Sequence, residues 1–303
     1  MDRTIFDEDH EMFRDASRAF LINEIKPFRD KWDEQEIVDR EAFLKAGEQG
    51  LLCMWADEKY GGAGITDFRF EQILLEENAK HGDVGFFIFL HNRLVGPYIG
   101  DLGTEEQKQR WLPKCVSGEY ILAVAMTEAG AGSDISAIRT KAEDKGDHYL
   151  LNGSKTFISN GILADLVIVA AKTDPNSSHG ISLFVVERGM EGFERGKNLK
   201  KMGMHSQDTA EMFFNNVKVP KENLLGEWNR GFYHLMHFLA EERLLSAVGS
   251  LANSEAAYEV TLEYATDRKV FGRAVADYQV NRFKFADMRM EMDVCQAFID
   301  QCV

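Results

Sequence analysis

A helical segment, a β-rich segment and a second helical segment follow one another in this sequence, which predicts a multi-domain α and β chain. Three observations carry this. Apolar residues recur at helical spacing through the first third, short β-like runs separated by turns fill Tyr149–Pro220, and helical patterning resumes from about Gly231. Strands and helices never alternate, which disfavours a Rossmann arrangement. The domains are therefore placed at residues 1–120, 121–228 and 229–303.

In the first segment Met12, Phe13, Ala16, Phe20, Leu21, Ile25 and Phe28 form one apolar stripe, with Pro27 disturbing its end. Tyr60-Gly61-Gly62-Ala63-Gly64 reads as a loop, and helical patterns return at Phe68–Leu75 and after Thr104-Glu105-Glu106-Gln107, where a threonine before acids suits a helix start. In the second segment Asn152-Gly153 lies between Tyr149–Leu151 and Lys155–Ile158 and predicts a hairpin. Leu166–Val169 and Ser182–Val186 read as core strands, and Met212–Phe214 and Val217–Pro220 close the segment. The third is helical through Leu251, Ala265 and Phe285, and Met290–Ile299 is still helical where the sequence stops. That end, beside apolar residues, predicts a chain truncated before its packing partner; a natural helical terminus is the other reading.

Composition narrows the function. The 303 residues are 45% apolar and 28% charged, ordinary for a folded chain. With a formal charge of −15 and no basic stripe, nucleic-acid binding is not expected. No run of about eighteen apolar residues predicts a membrane span, and Met1–Phe6 has no signal-like pattern. Cys53, Cys115, Cys295 and Cys302 are too scattered for a zinc site and read as reduced intracellular thiols.

Four constellations could carry chemistry. Ala125–Asp134 has small residues that let backbone approach a ligand, with Thr127 and Ser133 offering hydroxyls. It fails the G-x-G-x-x-G template at Ile135 and is equally a structural turn. In Lys155–Gly161 simple alternation puts Phe157 and Ser159 on one face and Thr156 and Ile158 on the other, a wall for a flat heteroaromatic ligand or an ordinary strand. In Phe238–Leu245 a helix places Glu242 near Phe238, Leu235 and Leu239, with Ser246 and Gly249 on the following turns. A carboxylate there becomes a better proton acceptor if desolvated, unless it pairs with Arg243. Arg268, Lys269 and Arg273 at a helix break could hold phosphates or form a solvated patch.

In this order and spacing the four segments resemble the acyl-CoA dehydrogenase family over essentially the whole chain. Ala125–Asp134 is the most specific match. Tyr60-Gly61-Gly62, Asn152-Gly153-x-Lys155, Ser159-Asn160-Gly161, Lys201-Met202-Gly203, Val219-Pro220 and Arg268-Lys269-x-Phe271-Gly272 with Gln279 support it. The resemblance implies a helical N-terminal domain, a central β-barrel-like domain and a C-terminal four-helix domain, with FAD bound between the last two and across a subunit interface. By position, Val124, Met126 and Thr127 would contact the flavin ring, and Ser133 would touch both FAD and the CoA arm. Phe157 would stack near the isoalloxazine and Ser159 would bond its edge. Arg268 and Phe271 would bind the FAD phosphate and adenine, and Gln279 the FAD of a neighbouring subunit. Phe157 stands where the family often has tryptophan, and the sequence ends before the family's glycine-rich flavin loop.

The family places its base either near the C-terminus or immediately before an arginine in the helix where Glu242-Arg243 stands. Glu242 matches the second placement, that of the long-chain and isovaleryl branches, with Arg243 and Ser133 on the substrate. The implied reaction is α,β-dehydrogenation of an acyl-CoA in fatty acid β-oxidation. Electron-transferring flavoprotein is the implied acceptor, and the chain a homotetramer or homodimer in the bacterial cytoplasm or mitochondrial matrix. The rivals are an oxidase passing electrons to oxygen and a non-catalytic interaction protein on the same fold.

Overall fold

The computed structural model describes residues 3–303. In chain order its helices are α1 (Glu8–Phe20), α2 (Arg29–Gln35), α3 (Glu41–Glu48), α4 (Phe68–His81), α5 (Gly96–Leu102), α6 (Glu105–Val116), α7 (Gly231–Asp267) and α8 (Gln279–Cys302). The strands are β1 (Leu122–Ala125), β2 (Lys141–Asp144), β3 (His148–Ser159), β4 (Leu166–Lys172), β5 (Ile181–Glu187), β6 (Phe193–Asn198), β7 (Thr209–Pro220), β8 (Leu224–Leu225), β9 (Lys269–Val270) and β10 (Arg273–Ala274). The order is helical, β, helical, as the patterning predicts. The chain forms two compact units. One comprises residues up to Lys26, Asp67–Asp83 and Glu242–Val303; the other comprises Pro27–Thr66 and Val84–Glu241.

The second unit is built on one eight-stranded sheet, ordered β6-β7-β3-β2-β4-β5-β8 with β1 parallel to β4. Strands β4 and β5 read as unbroken apolar runs because both of their faces are covered. Leu166, Ile168 and Ala170 face a cluster with Tyr98, Trp111 and Leu112 of α5 and α6. Val167, Val169 and Ala171 share a second cluster with Tyr149, Leu151, Met212 and Phe214 of β3 and β7. One sheet whose strands meet across an apolar interior is curled, which is the barrel-like character. The start of α6 is fixed by a capping box, in which Thr104 accepts the Gln107 N–H and the Gln107 side chain accepts the Thr104 N–H.

Two elements differ from the sequence reading. Asn152-Gly153 does not turn a hairpin; β3 runs straight through it, paired with β7 on either side. Gly153 has φ +147°, and a Cβ there would lie 2.6 Å from the Cα of Thr140, so the glycine answers a close backbone approach, not a turn. Met212–Phe214 and Val217–Pro220 are one strand, β7, with its register shift opposite Leu151/Gly153 and Asn216 at φ +52°.

His91 sits fully buried in this unit, its Nε2–H donating to the Cys115 carbonyl (2.8 Å) while Nδ1 accepts the Leu122 N–H (3.3 Å). Burial pushes its pKa down to about 4. The unfolded chain takes up a proton near pH 6.5 that the folded ring refuses. Stability from this group is therefore complete above pH 6.5 and is lost as pH falls toward 4, by about 3 kcal/mol in all. Urea midpoints measured between these limits should fall more steeply for the wild type than for His91→Gln; parallel curves would refute the assignment.

In the other unit α1 lies against α4. Glu77, 2% exposed, is satisfied by Arg14 (3.2 Å) and Arg18 (2.8 Å). Phe13 meets Phe70 edge-on at 5.2 Å, whereas Met12, placed on the apolar stripe by spacing, is exposed. The stripe ends where α1 passes into a π-turn at Leu21–Ile25 and a short 3₁₀ turn at Lys26–Phe28 around Pro27. Helix α8 continues to Cys302, with Phe283, Val294 and Phe298 exposed along it. No helix among the described residues is long and apolar enough to cross a membrane.

Candidate active site

β1 delivers Val124 and Met126, both half-buried, to a turn at Thr127–Ala131 closed by paired backbone bonds between Glu128 and Ala131 (3.0 Å each). Thr127 is half-buried and Ser133 exposed. The Glu128 carboxylate accepts the N–H groups of Arg139 (2.7 Å) and Thr140 (2.9 Å), which shapes the segment beyond the turn. Lys155, from β3, donates to the Met126 carbonyl and to Glu128, each at 2.9 Å, with its side chain wholly buried. Burial pushes the Lys155 pKa down to about 8 while Glu128 opposes it. Burial, the largest single effect, raises that of Glu128, but the Lys155 bond and charge together with the bonds from Arg139 and Thr140 outweigh it, and the carboxyl stays below its ordinary value.

The strand that carries Lys155 does not alternate simply. Lys155 pairs with Met212 and Ile158 with Ala210, so Thr156 and Phe157 share one partner position in a bulge. Lys155 and Ile158 both point inward although three residues apart, which corrects the plain two-face reading. Phe157 has φ +58°, a left-handed conformation costly for an aromatic residue, and is 67% exposed. Ser159 is half-buried. An exposed ring held in a strained conformation, with the Thr127 turn bonded to the bulge through Thr156 N–H to Thr127 O (2.9 Å), fits a flat heteroaromatic ring with polar edges such as the isoalloxazine. Ser159→Ala should perturb a bound flavin's visible spectrum and weaken turnover by on the order of 0.5–3 kcal/mol. An unchanged spectrum and rate would remove Ser159 from the wall.

The remaining candidates, Glu242, Arg243, Arg268, Phe271 and Gln279, belong to the other unit, which begins within α7 at Glu242; Leu235 and Phe238 of the same helix belong to the sheet's unit. Leu235, Phe238 and Leu245 are the buried positions along one stripe of α7, and Glu242, half-buried, falls on that stripe. Arg243 is exposed, and the Ser246 hydroxyl donates to the Glu242 backbone carbonyl (3.0 Å). α7 ends at Asp267, where Arg268 is exposed and its carbonyl accepts the Val275 N–H (2.8 Å). Between them β9 and β10 form a hairpin whose two loop residues, Phe271 (φ +52°) and Gly272 (φ +78°), have the positive φ pair of a type I′ turn. Phe271 stands at its tip, 95% exposed, and Gln279 opens α8, also exposed. The exposed cations of this break, Arg268, Lys269 and Arg273, lie on the same short segment as the ring, a donor set suited to phosphate beside a stacked base.

Lys155 and Glu128 have no role in the sequence reading beyond motif membership. The available signal is parity: Tyr149, Leu151 and Lys155 fall on one face of β3, so a lysine takes an inward position and demands an acid.

Three family models match in order: the acyl-CoA dehydrogenase N-terminal domain at residues 7–119, the middle domain at 123–217 and the C-terminal domain at 229–303. The long-chain specific acyl-CoA dehydrogenase, mitochondrial, of Rattus norvegicus is 45% identical over 99% of this chain and 70% of its own length. The isovaleryl-CoA dehydrogenase, mitochondrial, of Pongo abelii is 38% identical over 96% of this chain and 70% of its own. A crystal structure of an acyl-CoA dehydrogenase from Geobacillus kaustophilus superposes with TM-score 0.97 at 48% identity, covering 99% of this chain and 80% of that one. The chain belongs to the acyl-CoA dehydrogenase family, FAD oxidoreductases that act on the CH–CH group of acyl-CoA thioesters.

Proposed function

We propose that the chain converts a long-chain or branched acyl-CoA to its trans-2-enoyl-CoA, with Glu242 as the base. The observation that carries this is the position of Glu242, half-buried on the otherwise apolar stripe of α7 while Arg243 beside it is exposed. A carboxylate held within reach of the weakly acidic proton α to a thioester can take that proton. FAD, when bound, supplies the two-electron acceptor for the β-hydrogen. On this reading Val124, Met126, Thr127, Phe157 and Ser159 form the wall for the ring. Ser133 and Arg243 touch the substrate, Arg268 and Phe271 hold the phosphate and adenine end, and Gln279 serves a neighbouring subunit of a homotetramer or homodimer. Electron-transferring flavoprotein takes the electrons, in the mitochondrial matrix of a eukaryote or the cytoplasm of a bacterium.

The likeness to a long-chain and an isovaleryl relative supports the branch. A panel of straight acyl-CoAs of graded length and branched ones, assayed on the FAD-loaded protein, tests it. Rates should peak on long or branched chains; a peak on short straight chains overturns the branch. Slow reoxidation of the reduced protein in air is expected, and fast reoxidation favours an oxidase instead.

A further inference from the structure

We propose that Lys155 and Glu128 are a positioning pair for the flavin wall, fixing the Met126 carbonyl and the Thr127 turn relative to the Phe157 bulge. The inference rests on the FAD reading above. Every residue in it belongs to one compact unit.

Two of the three donors of the buried Lys155 ammonium are committed, to Met126 O and to Glu128 Oε1, at 2.9 Å each. That Glu128 oxygen also accepts the Thr140 N–H, and its other oxygen accepts the Arg139 N–H. Thr140 in turn donates its hydroxyl to the Ser154 carbonyl at 3.2 Å, one residue before Lys155. The contacts therefore close a ring: Lys155, Glu128, Thr140, Ser154 and back to Lys155. The Met126–Thr127 strand end hangs on the ammonium, and Thr127 O takes the Thr156 N–H of the bulge. Two adjacent residues of the wall, Met126 and Thr127, are held through their carbonyls, and Phe157 follows Thr156 directly.

A buried ion pair is a poor device for stability alone, since apolar replacements of like volume are often neutral or stabilising. Its distinctive contribution is direction: a charge with fixed donors sets where a carbonyl points, and a methionine in the same volume does not. Position, more than fold stability, should therefore be what its loss costs. Both groups are charged at neutral pH, because burial lowers the Lys155 pKa only to about 8 and Glu128 stays below its ordinary value.

The test compares the wild type, Lys155→Met and the uncharged pair Lys155→Met/Glu128→Gln. It titrates FAD into apoprotein by flavin fluorescence, and records the visible spectrum and the melting temperature of each apoprotein. The single variant strands a carboxylate and is expected to melt lower. The double variant should melt close to wild type, yet bind FAD about tenfold or more weakly and with shifted visible bands. A double variant with wild-type affinity and bands overturns the positioning role and leaves the FAD site standing. A double variant that does not fold overturns it too, because the pair is then holding up the fold. A wild type that takes up no FAD overturns the cofactor reading itself, and this inference with it.

Discussion

Glu242→Gln is expected to leave FAD and acyl-CoA bound and to slow flavin reduction by a factor on the order of 10²–10⁴, the usual contribution of a positioned base. Glutamine keeps the size and polarity of the side chain on the buried stripe of α7, so packing beside Leu245 survives and only the proton acceptor goes. Stopped-flow bleaching of the flavin at saturating substrate reads the effect directly, and the FAD content of the variant checks the fold. Glu241→Gln is the control. Glu241 pairs with the largely buried Arg93 at 2.7 Å, so its neutralisation should lower the melting temperature yet leave reduction near wild type. Reduction by Glu242→Gln at the wild-type rate would move the base elsewhere. Loss of FAD or of the fold would make Glu242 structural.

Much of this was legible in the sequence, and the failures have one physical origin. Helix starts and breaks are local: Thr104 with Gln107 caps α6, and the Phe271-Gly272 turn interrupts the helical run between α7 and α8. Strand positions were legible but strand order was not, because pairing depends on residues far apart in sequence. The period-two reading of Lys155–Gly161 assumed an unbroken ladder. A bulge opposite Glu211 reset it, and nothing local to Thr156-Phe157 marks a bulge without a glycine. Phe157 and Ser159 were nevertheless readable as candidates because their types, a ring and a hydroxyl, matter more to the site than the register. Lys155 was readable as a misfit on an apolar face, but its partner lies 27 residues back in a turn. Only the fold names it.

Gly153→Val is the other large effect expected, about 4 kcal/mol of destabilisation, from two additive causes. The backbone at φ +147° is open to glycine and strained for any residue with a Cβ. A Cβ would also lie 2.5 Å from Thr140 Oγ1 and 2.6 Å from its Cα, so rotating the threonine side chain cannot relieve the overlap. The strand must then move away from Thr140, which is itself tied to Glu128 and Ser154. Urea unfolding at pH 7.5 should show a lower midpoint with an unchanged slope, or no folded baseline at all. Gly203→Ala, where nothing lies within 4 Å and φ is not positive, should stay within about 0.5 kcal/mol of wild type. The same measurement separates the two accounts of Asn152-Gly153. At the tip of a two-residue hairpin the valine would meet open solvent and strain the backbone alone, so Thr140→Gly added to Gly153→Val would change nothing. With β3 running straight past Thr140, that second substitution removes the side-chain part of the overlap and should recover part of the loss. The remaining overlap with the backbone at position 140 and the positive φ keep the double variant below wild type.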